Sequence, residues 1–272
     1  MPEILIKPSG RWEGLNFKEL GAYWELLFFL VWRNIRVRYS QTVIGVLWVI
    51  IQPVMTTFIF TAIFGWFAKL PSEGVPYAIF VFSGLLPWNL FANSISGAST
   101  SLVMNRNFIS KVYFPRVFIP LAKVFETLID FCISCVILVI LMWFYKYLPP
   151  GSVIFFPFFV LLVVILALGV VLWLSALNVK YRDIAHGVPF LVQIWFYVSP
   201  VAYAYSIIPA KWQWLYAMNP MVGIIEGFRW ALLGKGVNLE TVLPISMAVS
   251  CLIIFLGVIY FCNTERTFSD II

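Results

Sequence analysis

Lys123, Glu126 and Asp130 stand three and four residues apart inside an apolar stretch that runs from about Val117 to Phe144. On a helix that spacing puts all three on one face. Lys123 and Glu126 neutralise each other there and leave Asp130 as the deepest charge. Ionisable groups at membrane depth are costly and mark functional sites by default. Two readings stand side by side: a structural polar cluster at a helix or subunit contact, and a polar patch beside a hydrated pathway. The other apolar stretches hold almost no ionisable residues, which is thin for a proton relay.

Other chemistries find less material. A phosphate-cradling loop needs a lysine followed by Ser or Thr in a glycine-rich turn. None of the nine lysines is followed by either, so this chain is not a P-loop ATPase. Any ATP-driven step belongs to another chain. His186 is the sole histidine, and Cys132, Cys135, Cys251 and Cys262 lie in or beside apolar segments without metal spacing. They read as small packing residues, and neither a metal site nor a disulfide framework is expected. Asp183 and His186 form the nearest approach to an acid–base pair, and a lone histidine beside an aspartate reads first as an interfacial residue.

Aromatic side chains are abundant: 26 Phe, 12 Trp and 12 Tyr. Trp66, Phe67, Trp88, Trp212 and Trp214 sit where an interfacial belt is expected. A sharper reading gives some aromatics to a path for sugars, since an aromatic face stacks on the apolar face of a sugar ring without fixing one pose. Its candidates are Trp48, Phe60, Tyr77, Phe80, Trp88, Trp195, Phe196 and Tyr197.

The elements that position these residues follow from composition. Hydrophobic residues make up 62% of the 272, and charged residues 11%, where a soluble domain carries about 25%. That balance selects an all-α integral membrane class, because each helix crossing a bilayer takes roughly 20 apolar residues. Six segments qualify: about Gly45–Phe67, Tyr77–Leu102, Val117–Phe144, Val153–Leu177, Ile184–Tyr203 and Val242–Cys262. The first twenty residues lack the apolar core of a cleavable signal peptide, so the N-terminus is expected mature and cytoplasmic. With both ends inside, the cytoplasmic side holds 13 basic residues and the outer side 5, out of 18. The opposite orientation would invert the usual bias.

Two segments fall outside a plain six-helix plan, and the loop after the second span is informative in its own right. Leu20, Trp24, Leu27, Val31 and Ile35 recur at helical spacing and predict an amphipathic helix at the cytoplasmic interface. A cytosolic helix packed on a partner has the same pattern. The stretch 206–236 is apolar but broken at Asn219–Pro220, with Glu226 and Arg229 following. Each half is too short to cross, so a re-entrant pair dipping in from the outer side is expected. A seventh span is the alternative. The short basic loop Asn105–Arg116 places Phe108, Ile109 and Val112 on one face of a short helix ended by Pro115.

Lys111-Val-Tyr-Phe-Pro-Arg116, followed by Pro120, resembles the type-2 ABC transporter permeases that export polysaccharides, among them O-antigen, capsule and teichoic-acid exporters. The agreement covers nearly the whole chain: Arg33, Arg36 and Arg38-Tyr39 ahead of Gly45, Leu47-Trp48 and Gln52-Pro53; Gly84–Trp88; Asn178–Asp183; Ser199-Pro200; Asn219–Met221; Phe228-Arg229; and the tail Glu265–Asp270. The order and spacing of these motifs carry the resemblance more than any one of them. It implies a cytoplasmic segment over 1–40, a six-span permease domain over 41–263 and a cytoplasmic tail over 264–272, in the bacterial inner membrane. It implies a coupling helix at about 105–113, with Arg106, Phe108, Ile109, Lys111, Tyr113 and Arg116 as ATPase-coupling residues. It further implies a homodimer, two copies of a separate ATPase that bind ATP and Mg, and a channel for a lipid-linked glycan, most naturally O-antigen, at the dimer interface. No cofactor is expected on this chain, and no nucleic acid. On that picture Arg116→Glu abolishes export while leaving the chain in the membrane. Export of a small hydrophobic compound and a membrane enzyme of glycan assembly remain as alternatives.

Overall fold

The computed structural model describes residues 21–40, 45–112, 114–236, 239–265 and 268, and among these every regular element is a helix. In chain order they are α1 (Trp24–Ser40), α2 (Gly45–Phe60) running on as a wider π-type helix (Thr61–Phe67), α3 (Tyr77–Ser99), α4 (Ser101–Met104) and α5 (Arg106–Ile109). There follow α6 (Phe118–Phe144), a 3-10 turn (Gly151–Phe155) leading into α7 (Phe156–Lys180), and α8 (Ile184–Tyr197). A 3-10 turn (Tyr205–Ile207), α9 (Ala210–Ala217), α10 (Pro220–Leu233) and α11 (Leu239–Glu265) complete the chain. Five helical stretches are long and apolar enough to cross a bilayer: Leu47–Phe67, Tyr77–Ser99, Phe118–Phe144, Gly151–Lys180 and Leu239–Glu265. The chain is a multi-pass membrane protein.

The fifth predicted crossing is shorter than its apolar run. The expectation was Ile184–Tyr203, but α8 ends at Tyr197 after 14 residues, about 21 Å at 1.5 Å per residue. Ser199-Pro200 stops it, since proline has no N–H to give the preceding turn and its ring collides with the carbonyl four residues back. The second predicted crossing also stops early, at Ser99, where Thr100 separates it from α4.

Contacts sort the helix ends into two groups. At one end the Asn178 amide donates to the Ser99 carbonyl at 3.0 Å, Arg33 donates to Asn105 at 3.0 Å, and the Arg116 backbone N–H donates to Glu265 at 3.1 Å. At the other, Tyr147 donates to the Leu233 carbonyl at 2.7 Å, Ser152 to the Trp230 carbonyl at 2.9 Å, and Tyr77 to the Ala202 carbonyl. α9 and α10 form a hairpin that enters and returns at this second end. Its tip, Asn219, accepts from Trp195 Nε1 at 2.8 Å. Trp195 in turn packs on Phe91 at 4.9 Å, about 21 Å along α3 from Tyr77. Asn219 caps α10 by accepting from Met221 N–H at 3.1 Å, with Pro220 in the first helical position where its missing N–H costs nothing. Gly234 closes the helix at φ +63°, a left-handed conformation that glycine takes without strain.

α3 is the centre of the bundle. Of its apolar window 89% is buried, against 11% for the first span. The first span and the outward faces of α6 and α11 present apolar side chains to whatever surrounds the protomer. α7 and α11 meet backbone to backbone. A Cβ on Gly169 would stand 2.6 Å from the Ile254 nitrogen, and one on Gly257 would stand 2.3 Å from the Gly169 oxygen. Small residues at such crossings let transmembrane helices close to van der Waals contact.

Gly169→Leu is therefore expected to force α7 and α11 apart and destabilise the protein by about 2 kcal/mol or more. Gly151→Ala, where an added Cβ meets nothing within 4 Å, serves as its control. Thermal unfolding of the purified protein in detergent checks this: the first midpoint should fall by several degrees and the second should stay in place.

Candidate functional site

α1 does not lie apart from the bundle. Tyr23, Leu26, Leu27, Leu30 and Val31 pack on Phe118 and Ala122 at the start of α6. This corrects the predicted face. Leu27, Val31 and Ile35 turn inward or partly so, but Trp24 is 62% exposed, and Leu20 lies outside the described residues. The outer face carries Trp24, Phe28, Phe29 and Trp32, so α1 is apolar on two sides, one held by α6 and one open.

That docking carries Arg38 to the intramembrane charges. Its Nη1 lies 2.6 Å from Asp130 Oδ2 and 3.2 Å from Glu126 Oε1. Lys123 Nζ lies 2.9 Å from both Glu126 oxygens. Among the described residues, two cations and two carboxylates thus form one neutral group, with Glu126 and Asp130 themselves buried. Gly97 makes room for the Lys123 stem, since a Cβ there would stand 2.4 Å from Lys123 Cε. Thr127 shares a 2.7 Å hydrogen bond with Ser94 between α6 and α3. Arg38 went unmarked as a site residue in the sequence because nothing local ties it to charges 88 and 92 positions away.

The cluster stands between two cavities. The larger, about 530 Å³, opens toward α1 and is lined by Arg33, Asn34, Asn105, Lys123 and Glu126 among others. The smaller, about 230 Å³, lies between the first, second and third spans, with Arg38 and Asp130 on its wall. Gln52, Asn89 and Asn93 also line it, beside Trp48, Thr127 and Ser134. None of these three amides was marked from the sequence as a site residue. The signal was there in Asn89 and Asn93, an i,i+4 amide pair in an apolar span.

The predicted sugar-path aromatics divide. Trp48 and Tyr197 are exposed. Phe60, Trp88, Phe196, Phe91 and Trp195 form a chain of ring contacts joining α2, α3 and α8, with Phe60–Phe196 stacked at 5.8 Å and Trp88–Phe196 edge-on at 5.3 Å. Trp88 is 4% exposed and so stands inside the protomer, which removes it from the interfacial belt where the sequence placed it. Trp66, Phe67, Trp212 and Trp214 are all exposed. Tyr77 packs on Phe80, and Phe80 is itself sealed beneath Arg229.

At the second end, Arg229 is fully buried. It pairs with Glu226 at 2.8 Å and donates to the carbonyls of Val201 at 2.9 Å and Tyr203 at 3.2 Å. Its guanidinium carbon lies 3.7 Å from the centre of the Phe80 ring. Nearby, burial holds the Glu73 carboxyl above its usual range; Glu226 pushes it further up, and Arg229 and Lys235 pull it back.

The loop predicted to couple to a partner contains α5. Ile109 is buried, and Phe108 packs at a tilt on Phe114 at 4.8 Å, so both anchor the loop to the chain's own core. Arg106, Lys111 and Val112 are exposed, and Tyr113 lies outside the described residues. Arg116 is tied to the end of α11 through Glu265 and stands over the Phe268 ring.

Residues 25–233 match the profile of the ABC-2 type transporter family. The chain is 28% identical over 254 residues to an O-antigen export system permease protein from Klebsiella pneumoniae, covering 93% of this chain and 97% of the relative. It is 31% identical over 215 residues to an O-antigen export system permease protein from Myxococcus xanthus, covering 78% of this chain and 82% of the relative. A polysialic acid transport protein from Escherichia coli is 22% identical over 214 residues, covering 76% and 83%.

Removing one partner of a buried ion pair leaves the other charge uncompensated, at a cost of about 3–5 kcal/mol. Glu226→Leu alone should therefore be severely destabilising, whereas Glu226→Leu with Arg229→Met should recover part of that loss. A double-mutant cycle on thermal unfolding in detergent measures the coupling.

Proposed function

The chain belongs to the ABC-2 type transporter family, and from that premise we propose that it is the membrane-spanning permease of an exporter of polysaccharide, most naturally O-antigen. The observation that carries this reading is the near full-length similarity to O-antigen export permeases. The intramembrane charge cluster and its polar cavities fit it, because charge at that depth has a role in conduction or coupling by default.

Six crossings give the chain its path. α8 leaves the end where Asn178 meets Ser99, and the segment after it reaches the opposite end at Tyr77. The short helix with residues 198–202 thus covers the same distance as the longer spans. Both ends of the chain face the cytoplasm, since the end bearing α1, α5, Arg116 and Glu265 also carries most of the basic residues. The α9–α10 hairpin then dips in from the outer side. Two copies of the chain associate, with the poorly buried first span among the surfaces available to the second copy, and the lipid-linked glycan passes at their interface. A separate ATPase, itself in two copies, binds ATP and Mg and presses on the 105–113 loop, and this chain takes no cofactor of its own. The inner membrane is the site of action.

The exposed cations of the loop are the cleaner coupling test, since Arg116→Glu would also break the tie to Glu265. The chain, tagged and purified from its native membrane, is expected to bring down a stoichiometric ATPase with vanadate-sensitive turnover. Arg106→Glu with Lys111→Glu should leave the chain in the membrane, release the ATPase and abolish surface polysaccharide. A chain that purifies alone under conditions preserving membrane complexes would refute the assignment. Loss of surface polysaccharide on deletion, with drug sensitivity unchanged, separates this reading from export of a small hydrophobic compound.

A further inference from the structure

Each of the first three spans turns an i,i+4 pair into the 230 Å³ cavity: Trp48 with Gln52, Asn89 with Asn93, and Asp130 with Ser134. The amide side chains of Gln52, Asn89 and Asn93 make no hydrogen bond among the described residues; Asn89 is half-buried, and Gln52 and Asn93 are exposed where they line the cavity. Three accessible amides converging on one cavity offer a hydrogen-bonding site to an occupant. Each amide offers two N–H donors and a carbonyl acceptor, which matches the hydroxyls of a sugar ring, each both donor and acceptor. Trp48, 60% exposed one turn from Gln52, supplies a flat apolar face for the C–H side of such a ring.

The charge balance narrows the occupant. Arg38 and Asp130 both reach this cavity but are engaged with each other at 2.6 Å, and Lys123 with Glu126 completes a group of zero net charge. Among the described residues, a uronate or sialate carboxylate would find no uncompensated cation here. The volume lies below the roughly 300–1,000 Å³ of a drug-sized pocket, which admits one ring rather than a run of polymer. We propose that this cavity is a binding subsite for a single uncharged sugar unit of the exported glycan, with Gln52, Asn89 and Asn93 holding its hydroxyls and Trp48 its apolar face. The proposal rests on the polysaccharide-exporter reading and names what that exporter recognises within each protomer.

Oligosaccharides released by mild acid from the native strain's surface polysaccharide, tritium-labelled and split by anion exchange into neutral and acidic fractions, serve as the probe. Binding is measured by equilibrium dialysis against the purified protein, with whatever ATPase accompanies it, in lipid nanodiscs. Wild type should bind the neutral fraction. Asn89→Leu with Asn93→Leu, which keeps side-chain size and removes only polar groups, should weaken binding at least tenfold, as loss of two or more hydrogen bonds implies. Its thermal midpoint should be unchanged or raised. Gln52→Met, on a different helix, should weaken binding in the same direction, and Trp48→Ala likewise. Wild-type affinity in both amide variants, binding confined to the acidic fraction, or no binding by wild type would each overturn the subsite. The exporter reading is scored separately by deletion: a deletion strain that keeps its surface polysaccharide removes that reading, and one that loses it while wild type binds nothing removes the subsite alone.

Discussion

The fold depends on a guanidinium that never meets water. Pro200 ends α8 short of the far side of the bundle and leaves a stretch of irregular backbone whose carbonyls have no helical partners. Arg229 supplies donors to Val201 and Tyr203, the Asn219 amide donates to Val198 at 3.3 Å and to Ser199 Oγ at 3.0 Å, and Tyr77 donates to Ala202. Irregular backbone survives at membrane depth only where protein satisfies it in this way. Arg229 in turn needs Glu226 one turn back and the Phe80 face beneath it. Gly84 keeps the approach open, since a Cβ there would press on the Val201 oxygen at 2.9 Å and on Arg229 Nη2 at 3.2 Å. The hairpin, the irregular backbone after α8 and the central α3 are thus one unit.

A second charge group serves the opposite half. Arg38 comes from α1, which packs against the start of α6, and ends among carboxylates of the third span. This ties the α1 helix to the core through an ion pair whose carboxylates are buried and whose guanidinium is half-exposed. It also places a neutral but strongly dipolar wall between two cavities. The loop around Arg106 adjoins Asn105, which accepts from Arg33 on α1, so the loop, α1 and the charge cluster share one connected set of contacts.

Much of this was legible residue by residue. The span positions followed from apolar run lengths, the hairpin break from Asn219–Pro220, and the Lys123–Glu126 pairing from a one-turn spacing. What escaped was whatever depends on partners remote in sequence. Trp88 has the composition of an interfacial residue, yet it is buried because Phe91 and Phe196 close over it. Phe108 and Ile109 look like knobs for a partner's groove, yet Phe114 and Leu102 take them up. The α1 periodicity was real, but two apolar faces share that helix, and spacing alone does not say which one packs.

The sequence by itself determined the membrane class, the helical elements and their breaks, and the uneven distribution of basic charge, because these follow from local chemistry: hydropathy, the missing N–H of proline and the sign of side chains in short loops. Only the tertiary structure decided that Arg38 meets Asp130, that Arg229 is sealed rather than solvent-facing, and that Gln52, Asn89 and Asn93 converge on one cavity. Those outcomes depend on how helices rotate about their axes when they pack, and that rotation is set by contacts among residues tens of positions apart, such as Gly169 against Gly257.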